Sequence, residues 1–406
     1  MDKKLPLQGV KVIEWTQSGA GPWAGRCFAD FGAEVIKIES TKFPDFIRLS
    51  GPYKDDIPGV DRSSSFILFN TSKKSFTLDL KNPRGKELFK KLASWADIVL
   101  QNQRPGLMKS MGLGYEELKK VKEDIILIDV SIAGQEGPWT GTGGWGGNAM
   151  AQTGHLYLYA HPGGEPLMPG FTATTDVIIP LYQVMAGIAA LAYRRRTGKG
   201  QHIDIAQLEP AVYSLGPGLL DYAVNKRIQQ PMGNRDPRGA PHSAFRCQGE
   251  DKWCAIAVFT DEEWESFCSV IGNPEWTKSP KFATLSARKE NEDELEKLVN
   301  EWTMNYPAQE VMVMMQEAGI PAGVLQTTED IVDYDPQVKA RELLPIRHHP
   351  VMGDCLHARW PFILSKTPAE IRTTPCLGEH NRYVCTEILG LSDEEFAELV
   401  DSEVIS

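Results

Sequence analysis

Residues 172–206 have the sequence TATTDVIIPLYQVMAGIAALAYRRRTGKGQHIDIA, and this stretch decides the fold. Thr174, Thr175 and Asp176 are residue types that cap helices, and the small and apolar run Val177–Tyr193 predicts a buried helix of about four turns. Arginines followed by Gly-Lys-Gly end this helix, because cations suit its C-terminal dipole and glycine stops it. His202–Ala206 alternates as a strand does. Asp176 is therefore expected at the mouth of a buried helix.

The chain before this helix alternates between strands and helices. Gly9–Trp15 and Gly32–Glu39 are predicted strands, and Ala20–Asp30 between them is a predicted helix packed through small residues. A right-handed connection of this kind implies a parallel sheet. Later segments continue the alternation: a strand within Ser63–Asp79, a helix over Pro83–Ala93 and short strands at Ala96–Leu100 and Ile125–Val130. The pattern predicts a doubly wound α/β sheet.

Ligands of such sheets bind at the carboxyl ends of the strands. We expect the loops there to supply amides and cations for a phosphorylated ligand, although any single cation is equally typical of solvated surface. The residues singled out are Gln17, Ser18, Ala20, Ser40, Asn70, Lys73, Lys74, Asn102, Arg104 and Lys109. The glycine-rich stretch between Pro138 and Pro169 predicts no regular element, and is either a mobile loop near the site or an irregular connection.

Composition excludes several classes of protein. The 406 residues carry a net charge of −11, which disfavours a nucleic-acid surface. No unbroken apolar run reaches about 18 residues, so no membrane span is expected. Met1–Pro6 lacks the apolar stretch of a secretory leader, which favours the cytoplasm. Seven cysteines without a Cys-x-x-Cys pair, and histidines without ligand spacing, predict no disulfide framework and no metal.

Four motifs occur in order: VIE-x₅-AGP at 12–22, GAEVIKIE at 32–39, TGKGQ-x-x-D at 197–204 and LGEH at 377–380. Together with Asp176 they closely resemble the class III CoA-transferases, the formyl-CoA and carnitine transferase family. The resemblance implies a Rossmann-like large domain built from both chain ends, residues 1–224 and 326–406. It also implies a small inserted α+β domain, residues 225–325, and an interlocked dimer. The strands and turn-rich boundary after residue 225 agree with this division.

The resemblance further implies that Asp176 is a nucleophile that forms an aspartyl-CoA thioester, with an acyl-CoA and a carboxylic acid as substrates and no permanently bound cofactor. N–H groups near the helix start or in the Gly19–Gly21 loop are then candidates for stabilising the oxyanions. The alternative from local physics is that Asp176 is only an N-cap, worth about 1 kcal/mol. The resemblance also favours Asn102, Arg104 and Lys73 as CoA contacts.

The chain departs from the family at several positions. Ser40 and Ser110 stand where some relatives carry cations, although Lys109 lies beside Ser110, and the small domain shows no GGGGQ-type loop. Formate and oxalate are therefore not expected as substrates. Trp15, Trp23, Trp139 and Trp145 border the expected site and favour a bulky, largely apolar acid; packing in the core or a dimer interface is the alternative. Residues 44–48, 60–64 and 70–73 resemble transferases of aryl-substituted acids such as the benzylsuccinate transferases. This resemblance implies an arylalkyl or branched acid as acceptor, with succinyl-CoA or a similar dicarboxylic thioester as donor.

Two further alternatives stay open. The α-methylacyl-CoA racemases share the aspartate but pair it with a histidine, and here Trp145 occupies that slot while His155 lies ten residues later. Some transferases of this family consist of two different chains, so the expected assembly is a homodimer or a hetero-oligomer with a related subunit.

Overall fold

The computed structural model describes residues 5–168, 170 and 173–406. Thr172 of the opening stretch, Pro169 at the end of the glycine-rich stretch, and Met1–Lys4 of the expected leaderless start lie outside the described residues. The chain forms two compact units. The described parts of Met1–Leu156, Met168–Lys226 and Gln337–Ser406 make up the first, and Tyr157–Leu167 with Arg227–Pro336 the second. The domain bounds expected from the sequence stay a prediction.

A six-stranded parallel sheet is the centre of the first unit, as predicted. Its spatial order is β3-β2-β1-β4-β5-β6, so the order reverses direction between β1 and β4. Ligands bind at such a reversal, outside the carboxyl ends of the strands. The strands are β1 (Lys11–Trp15), β2 (Glu34–Glu39), β3 (Lys74–Thr77), β4 (Ile98–Gln101), β5 (Ile126–Ser131) and β6 (Gln201–Ala206).

Helices cover both faces of this sheet. The first ten along the chain are α1 (Ala20–Asp30), α2 (Ser64–Asn70), α3 (Pro83–Trp95), α4 (Leu107–Ser110), α5 (Tyr115–Val121), α6 (Gly146–Gln152), α7 (His155–Leu158), α8 (Thr174–Thr197), α9 (Leu208–Ser214) and α10 (Gly216–Asn225). Phe28 of α1 and Ile179 of α8 join a buried cluster with Val12 of β1, whereas Phe89 of α3 joins the cluster on the other face with Ile13. The alternation of Val12 and Ile13 explains why both faces need a cover.

Three expectations about these helices need correction. The helix behind Asp176 is α8, with 24 residues rather than about four turns, because helical geometry continues through the arginines to Gly198. Its surface is not wholly buried: Val177, Leu181 and Met185 are exposed. The glycine-rich stretch does contain helices, α6 and α7, and the segment before β3 forms α2.

By length and composition alone, α8 could cross a membrane, and it is the only such helix among the described residues. About 33% of its apolar window is buried inside the structure. The helix packs beside α1, α6, α9 and the sheet, and Asp176 lies in its first turn. This is weak evidence for a membrane span, because a core helix passes the same test.

The second unit is built on a three-stranded antiparallel sheet, β7 (His242–Arg246), β8 (Trp253–Ala257) and β9 (Ala322–Val324). Four helices accompany it: α11 (Asp261–Val270), α12 (Leu285–Glu290), α13 (Glu292–Thr303) and α14 (Ala308–Glu317). Phe245, Phe267 and Val311 belong to its buried core.

The remaining chain carries α15 (Pro336–Ala340), the antiparallel pair β10 (Ile346–His349) and β11 (Gly353–Leu356), α16 (Asn381–Tyr383) and α17 (Asp393–Asp401). Short 3₁₀ segments occupy Phe46–Leu49, Lys54–Asp56, Glu275–Lys278 and Pro280–Phe282, and single π turns occupy Asp330–Tyr334 and Val384–Ile388. Val384 and Leu399 from this tail complete the core on the α3 face of the large sheet.

Candidate active site

Asp176 lies in the first turn of α8, but it does not cap the helix. The N-cap is Ala173, whose carbonyl accepts the Asp176 N–H at 2.9 Å, and no side chain caps this end. The interpretation of Asp176 as a simple N-cap is therefore wrong, because its side chain is directed to other partners.

Two glycines make room for the Asp176 side chain. A Cβ atom placed on Gly146, the first residue of α6, would lie 2.4 Å from Asp176 Oδ2 and 2.5 Å from Ala173 Cβ. A Cβ on Gly19, the N-cap of α1, would lie 3.8 Å from Asp176 Cβ. The carboxylate thus sits where the N-terminal ends of α1, α6 and α8 meet, and helix N-terminal ends favour negative charge.

Gln207 holds one oxygen of this carboxylate. Its Nε2 donates to Asp176 Oδ1 at 2.5 Å, and Gln207 is only 5% exposed. Burial raises the pKa of Asp176 above its usual value, and the hydrogen bond from Gln207 opposes that rise. A half-buried carboxylate with a single amide donor and no lysine or arginine contact is a stronger nucleophile than one held in a salt bridge.

The loop after β1 is fixed on both sides. Gln17 N–H donates to Asn102 Oδ1 and Asn102 Nδ2 donates to Gln17 O, both at 2.8 Å. Ser18 takes a left-handed φ of 65°, and its N–H donates to Asp45 Oδ1 at 2.8 Å. Ala20 begins α1, and its carbonyl accepts from Gln183 at 2.8 Å. The structure therefore holds Gln17, Ser18, Ala20 and Asn102 around one loop, and Gly19 in that loop approaches Asp176; their role as CoA contacts stays a prediction.

Two cavities open along the carboxyl ends of the strands. One, of about 570 Å³, is lined by residues following β1, β2 and β3, among them Gln17, Ser40, Phe43, Lys81 and Lys86. The other, of about 650 Å³, is lined by residues following β4 and β5, among them Asn102, Arg104, Ser110 and the glycines 141, 143 and 144. Leu107 lines both cavities. Lys109 is exposed on α4.

Asn70, Lys73 and Lys74 do not lie at the carboxyl end of a strand, so their expected position needs correction. Because β3 begins at Lys74, Asn70 and Lys73 precede this strand and Lys74 is its first residue. Lys73 is 3% exposed, and its Nζ contacts Glu14 Oε2 at 2.7 Å and Asn70 Oδ1 at 2.8 Å. Lys74 pairs with Glu34 at the start of β2 and lines a separate cavity of about 460 Å³.

Several site residues were missed. Lys81 and Lys86 follow β3 and line the first cavity, where Lys81 Nζ lies 4.0 Å from the Phe43 ring centroid. Gln207 directly follows β6. The rule that ligands bind after the carboxyl ends of strands could have found Lys81 and Lys86 once β3 was correctly bounded, and it could have found Gln207 from the predicted strand end at Ala206.

The other candidates have separate surroundings. His155 is buried, and its two ring nitrogens lie 2.9 Å from Thr153 Oγ1 and Ser214 Oγ, not beside the carboxylate. Trp23 packs edge-on against Phe69. Trp15 lines the first cavity, and Trp139 is exposed.

Trp145 precedes Gly146 and pairs with Phe46, with ring centroids 4.9 Å apart and both rings at least half exposed. Among the described residues, no group of three or more His, Cys, Asp or Glu side chains is arranged to hold a metal ion.

Known proteins resemble this chain over nearly its whole length. The model of CoA-transferase family III matches residues 7–381. The succinyl-CoA–D-citramalate CoA-transferase of Chloroflexus aurantiacus is 34% identical over 98% of both chains. The β subunit of succinyl-CoA–L-malate CoA-transferase from the same organism is 31% identical over 99% of this chain and 98% of its own.

Among solved structures, a CaiB/BaiF family protein from Brucella suis is 31% identical, with a TM-score of 0.86 over 95% of this chain and 99% of that one. The family match and these identities agree with the resemblance carried by the four motifs, and the solved structure agrees with the parallel sheet. The chain belongs to CoA-transferase family III, and it is a transferase acting on CoA thioesters and carboxylic acids.

Proposed function

We propose that this protein moves CoA from succinyl-CoA to a second carboxylic acid through a covalent thioester on Asp176. The observation that carries the proposal is the placement of Asp176: a largely buried carboxylate at three helix N-terminal ends, opposite Gly146 and held by one amide. Succinyl-CoA is the donor named for both relatives from Chloroflexus.

The reaction needs two exchanges at Asp176. Its carboxylate attacks the thioester carbonyl and expels the CoA thiolate, giving a mixed anhydride. The thiolate then attacks Asp176 Cγ and releases succinate, which leaves an aspartyl-CoA thioester. The incoming acid reverses both steps and departs as its CoA ester. The energy of the thioester bond is retained throughout.

We further propose that CoA lies along the carboxyl edge of the large sheet. Lys81 and Lys86 beside Phe43 supply cations and an aromatic face for the nucleotide end, in the cavity that Gln17 and Ser40 also line. The loop Gln17–Gly19 separates this cavity from Asp176, so a thioester extending past Gln17 reaches the carboxylate.

We propose a substituted dicarboxylic acid as acceptor. Arg104 lines the second cavity beside flexible glycines, and guanidinium groups recognise carboxylates well. The exposed Phe46–Trp145 pair next to Gly146 favours an apolar substituent. Benzylsuccinate has both features, as do branched acids of the citramalate type, which the Chloroflexus relative uses.

For the assembly, we propose an interlocked homodimer working in the cytoplasm. One continuous side of α8 exposes Val177, Leu181, Met185 and Ile188, and the following α9 and α10 expose Tyr213 and Leu220. Apolar patches of this extent mark protein interfaces. The malate relative is named a β subunit. The alternative is therefore that this exposed apolar patch contacts a related but different chain.

The test is to incubate purified protein with succinyl-CoA and a panel of acids, and to identify the CoA esters by mass spectrometry. We expect esters of substituted dicarboxylic acids and a CoA adduct on the Asp176 peptide. Transfer to formate or carnitine alone would overturn the substrate proposal. Activity that appears only when a related chain is added would replace the homodimer with a heteromer.

A further inference from the structure

Gln207 occupies a fixed position between the sheet and the nucleophile. It follows β6 directly, its backbone N–H donates to Ser131 O at the end of β5 at 2.8 Å, and its side chain is buried. Because a carboxylate only accepts hydrogen bonds, the amide must present its nitrogen to Asp176 Oδ1, which lies 2.5 Å away. Backbone and burial together leave this side chain little freedom to turn away.

The two oxygens of Asp176 have different surroundings. Oδ1 accepts from Gln207, whereas Oδ2 faces the bare Cα of Gly146, where a Cβ would come within 2.4 Å. Among the described residues, Gln207 is the one side-chain donor to this carboxylate. Oδ1 is thus the oxygen held by a side-chain donor, whereas Oδ2 packs against the Gly146 backbone and has no side-chain donor among the described residues.

We propose that Gln207 is a catalytic residue whose side-chain amide stabilises the oxyanion formed on Asp176 Oδ1 in both tetrahedral intermediates at Asp176 Cγ. This inference rests on the proposed function, in which Asp176 is the nucleophile. It differs from a role of backbone N–H groups, because the donor is a side chain that can be replaced.

The bonds balance with Oδ1 unbroken throughout. Oδ2 attacks the acyl carbonyl and becomes the bridging oxygen of the anhydride. When the CoA thiolate attacks Cγ, the electron pair of the carbonyl moves onto Oδ1. Collapse of this intermediate breaks the Cγ–Oδ2 bond, and succinate leaves with Oδ2. The acceptor carboxylate later adds to Cγ, Oδ1 again takes the negative charge, and the thiolate leaves. A donor fixed on Oδ1 serves both additions.

The electrostatics agree with this geometry. Burial raises the pKa of Asp176 and Gln207 opposes the rise, while no charged side chain contributes. The titratable groups on α1, β5, β6 and α9, elements beside this part of α8, are Arg26, Cys27, Asp30, Asp129, His202, Asp204, Glu209 and Tyr213, and α6 carries none. Arg26 pairs with Asp30, and His202 with Asp129. Gln207 is thus the one side chain among the described residues that lowers the pKa of Asp176 and favours its ionised form.

The test compares Gln207→Met, which keeps the length of the side chain but removes the donor, with Gln183→Leu. Gln183 is also a buried amide beside α8, but it donates to the Ala20 carbonyl. We expect Gln207→Met to lower kcat by about 10²- to 10³-fold with less than a threefold change in KM for succinyl-CoA. The acid limb of its kcat/KM profile should move to higher pH, because the Asp176 carboxyl loses its donor. Gln183→Leu should lower Tm and leave that limb in place.

The rate at which the CoA adduct forms on Asp176 gives an independent readout. It is measured by rapid quenching and mass spectrometry. If Gln207→Met forms the adduct at the wild-type rate and keeps the wild-type acid limb, the oxyanion role is wrong while Asp176 remains the nucleophile. If Gln207→Met does not fold, Gln207→Leu is measured in the same way. If Asp176→Ala itself retains transfer, the proposed function fails first.

Discussion

At the scale of single residues, the proposed role of Asp176 as nucleophile rests on its three neighbours. Gln207 donates to one oxygen, Gly146 leaves space beside the other, and Gly19 lets the side chain approach the start of α1. Sequence reasoning found Asp176 from its place before a long helix and a TGKGQ turn. The rule that ligands bind after strand ends points to Gln207, but the contacts of Gln207 and Gly146 with Asp176 join residues 30 or more positions apart and depend on how the helices meet.

Replacing Asp176 with Asn should separate chemistry from stability. Asn is isosteric and still accepts from Gln207, so the fold is kept, but the amide is a poor nucleophile and transfer should fall at least about a thousandfold. Burial raises the pKa of Asp176, so the folded chain binds this proton more tightly than the unfolded chain and ionisation costs stability. Urea unfolding at pH 7 should therefore show Asp176→Asn to be at least as stable as wild type. The difference should shrink as the pH falls toward 4; a constant difference would contradict the buried carboxylate.

Gly146 and Gly147 are a matched pair for testing the space beside the carboxylate. A Cβ at Gly146 would meet Asp176 Oδ2 at 2.4 Å, whereas a Cβ at Gly147 would meet only the end of Met168 at 3.4 Å. We expect Gly146→Ala to lower kcat by about tenfold or more and Gly147→Ala to change it less than twofold. The measurement is steady-state transfer with succinyl-CoA. Equal effects of both variants would show that carboxylate placement does not depend on Gly146.

At the scale of elements, the bounds of β3 decide which lysines lie at the carboxyl edge of the sheet. The sequence predicted that loops after strands bind the ligand, and this rule placed Gln17, Asn102 and Arg104 on the right edge. It misplaced Lys73 because α2 intervenes before β3, and Ser63–Asp79 has no pattern strong enough to separate a seven-residue helix from the strand behind it. A buried ion pair cannot be recognised from the sequence either, because lysine occurs both in cores and on surfaces.

Lys73 and Lys74 should therefore differ sharply in their effect on stability. Lys73 is enclosed with Glu14, and burial lowers the pKa of Lys73 to about 8 despite that partner. Lys73→Met leaves a buried carboxylate short of a partner and should cost about 3 kcal/mol of unfolding free energy. Lys74→Met removes a partly exposed pair with Glu34 and should cost under about 1 kcal/mol. Denaturant titration of the two variants measures both losses of unfolding free energy. Combining Glu14→Gln with Lys73→Met should recover part of the stability that Lys73→Met loses.

At the scale of the whole molecule, the helix that carries Asp176, α8, also has an exposed apolar side. The sequence predicted a buried helix because small and apolar residues surround it on every side. The single chain buries one side against α1 and the sheet and leaves Leu181, Met185 and Ile188 uncovered. Composition alone does not tell burial within a chain from burial between chains, which is why this expectation failed.

The dimer proposal predicts that a charge on this side separates the subunits. Met185 is 61% exposed, so Met185→Glu is tolerated within one chain but places a carboxylate in the proposed interface. We expect a monomer by light scattering and loss of most transfer activity. Val121→Glu is the control, because Val121 is 42% exposed but lies at the end of α5 and not on the exposed side of α8. An unchanged dimer for Met185→Glu would place the interface elsewhere.

The close approach of Gly146 to Asp176 also bears on how such chains diverge during evolution. While the aspartate is retained, any side chain at position 146 collides with Oδ2, so selection for transfer removes every replacement there. A duplicated gene copy that has lost the aspartate is released from that constraint, and ordinary drift then fills the position. Among paralogues of unknown activity, the residue that starts this short helix should therefore separate working transferases from copies kept for another purpose.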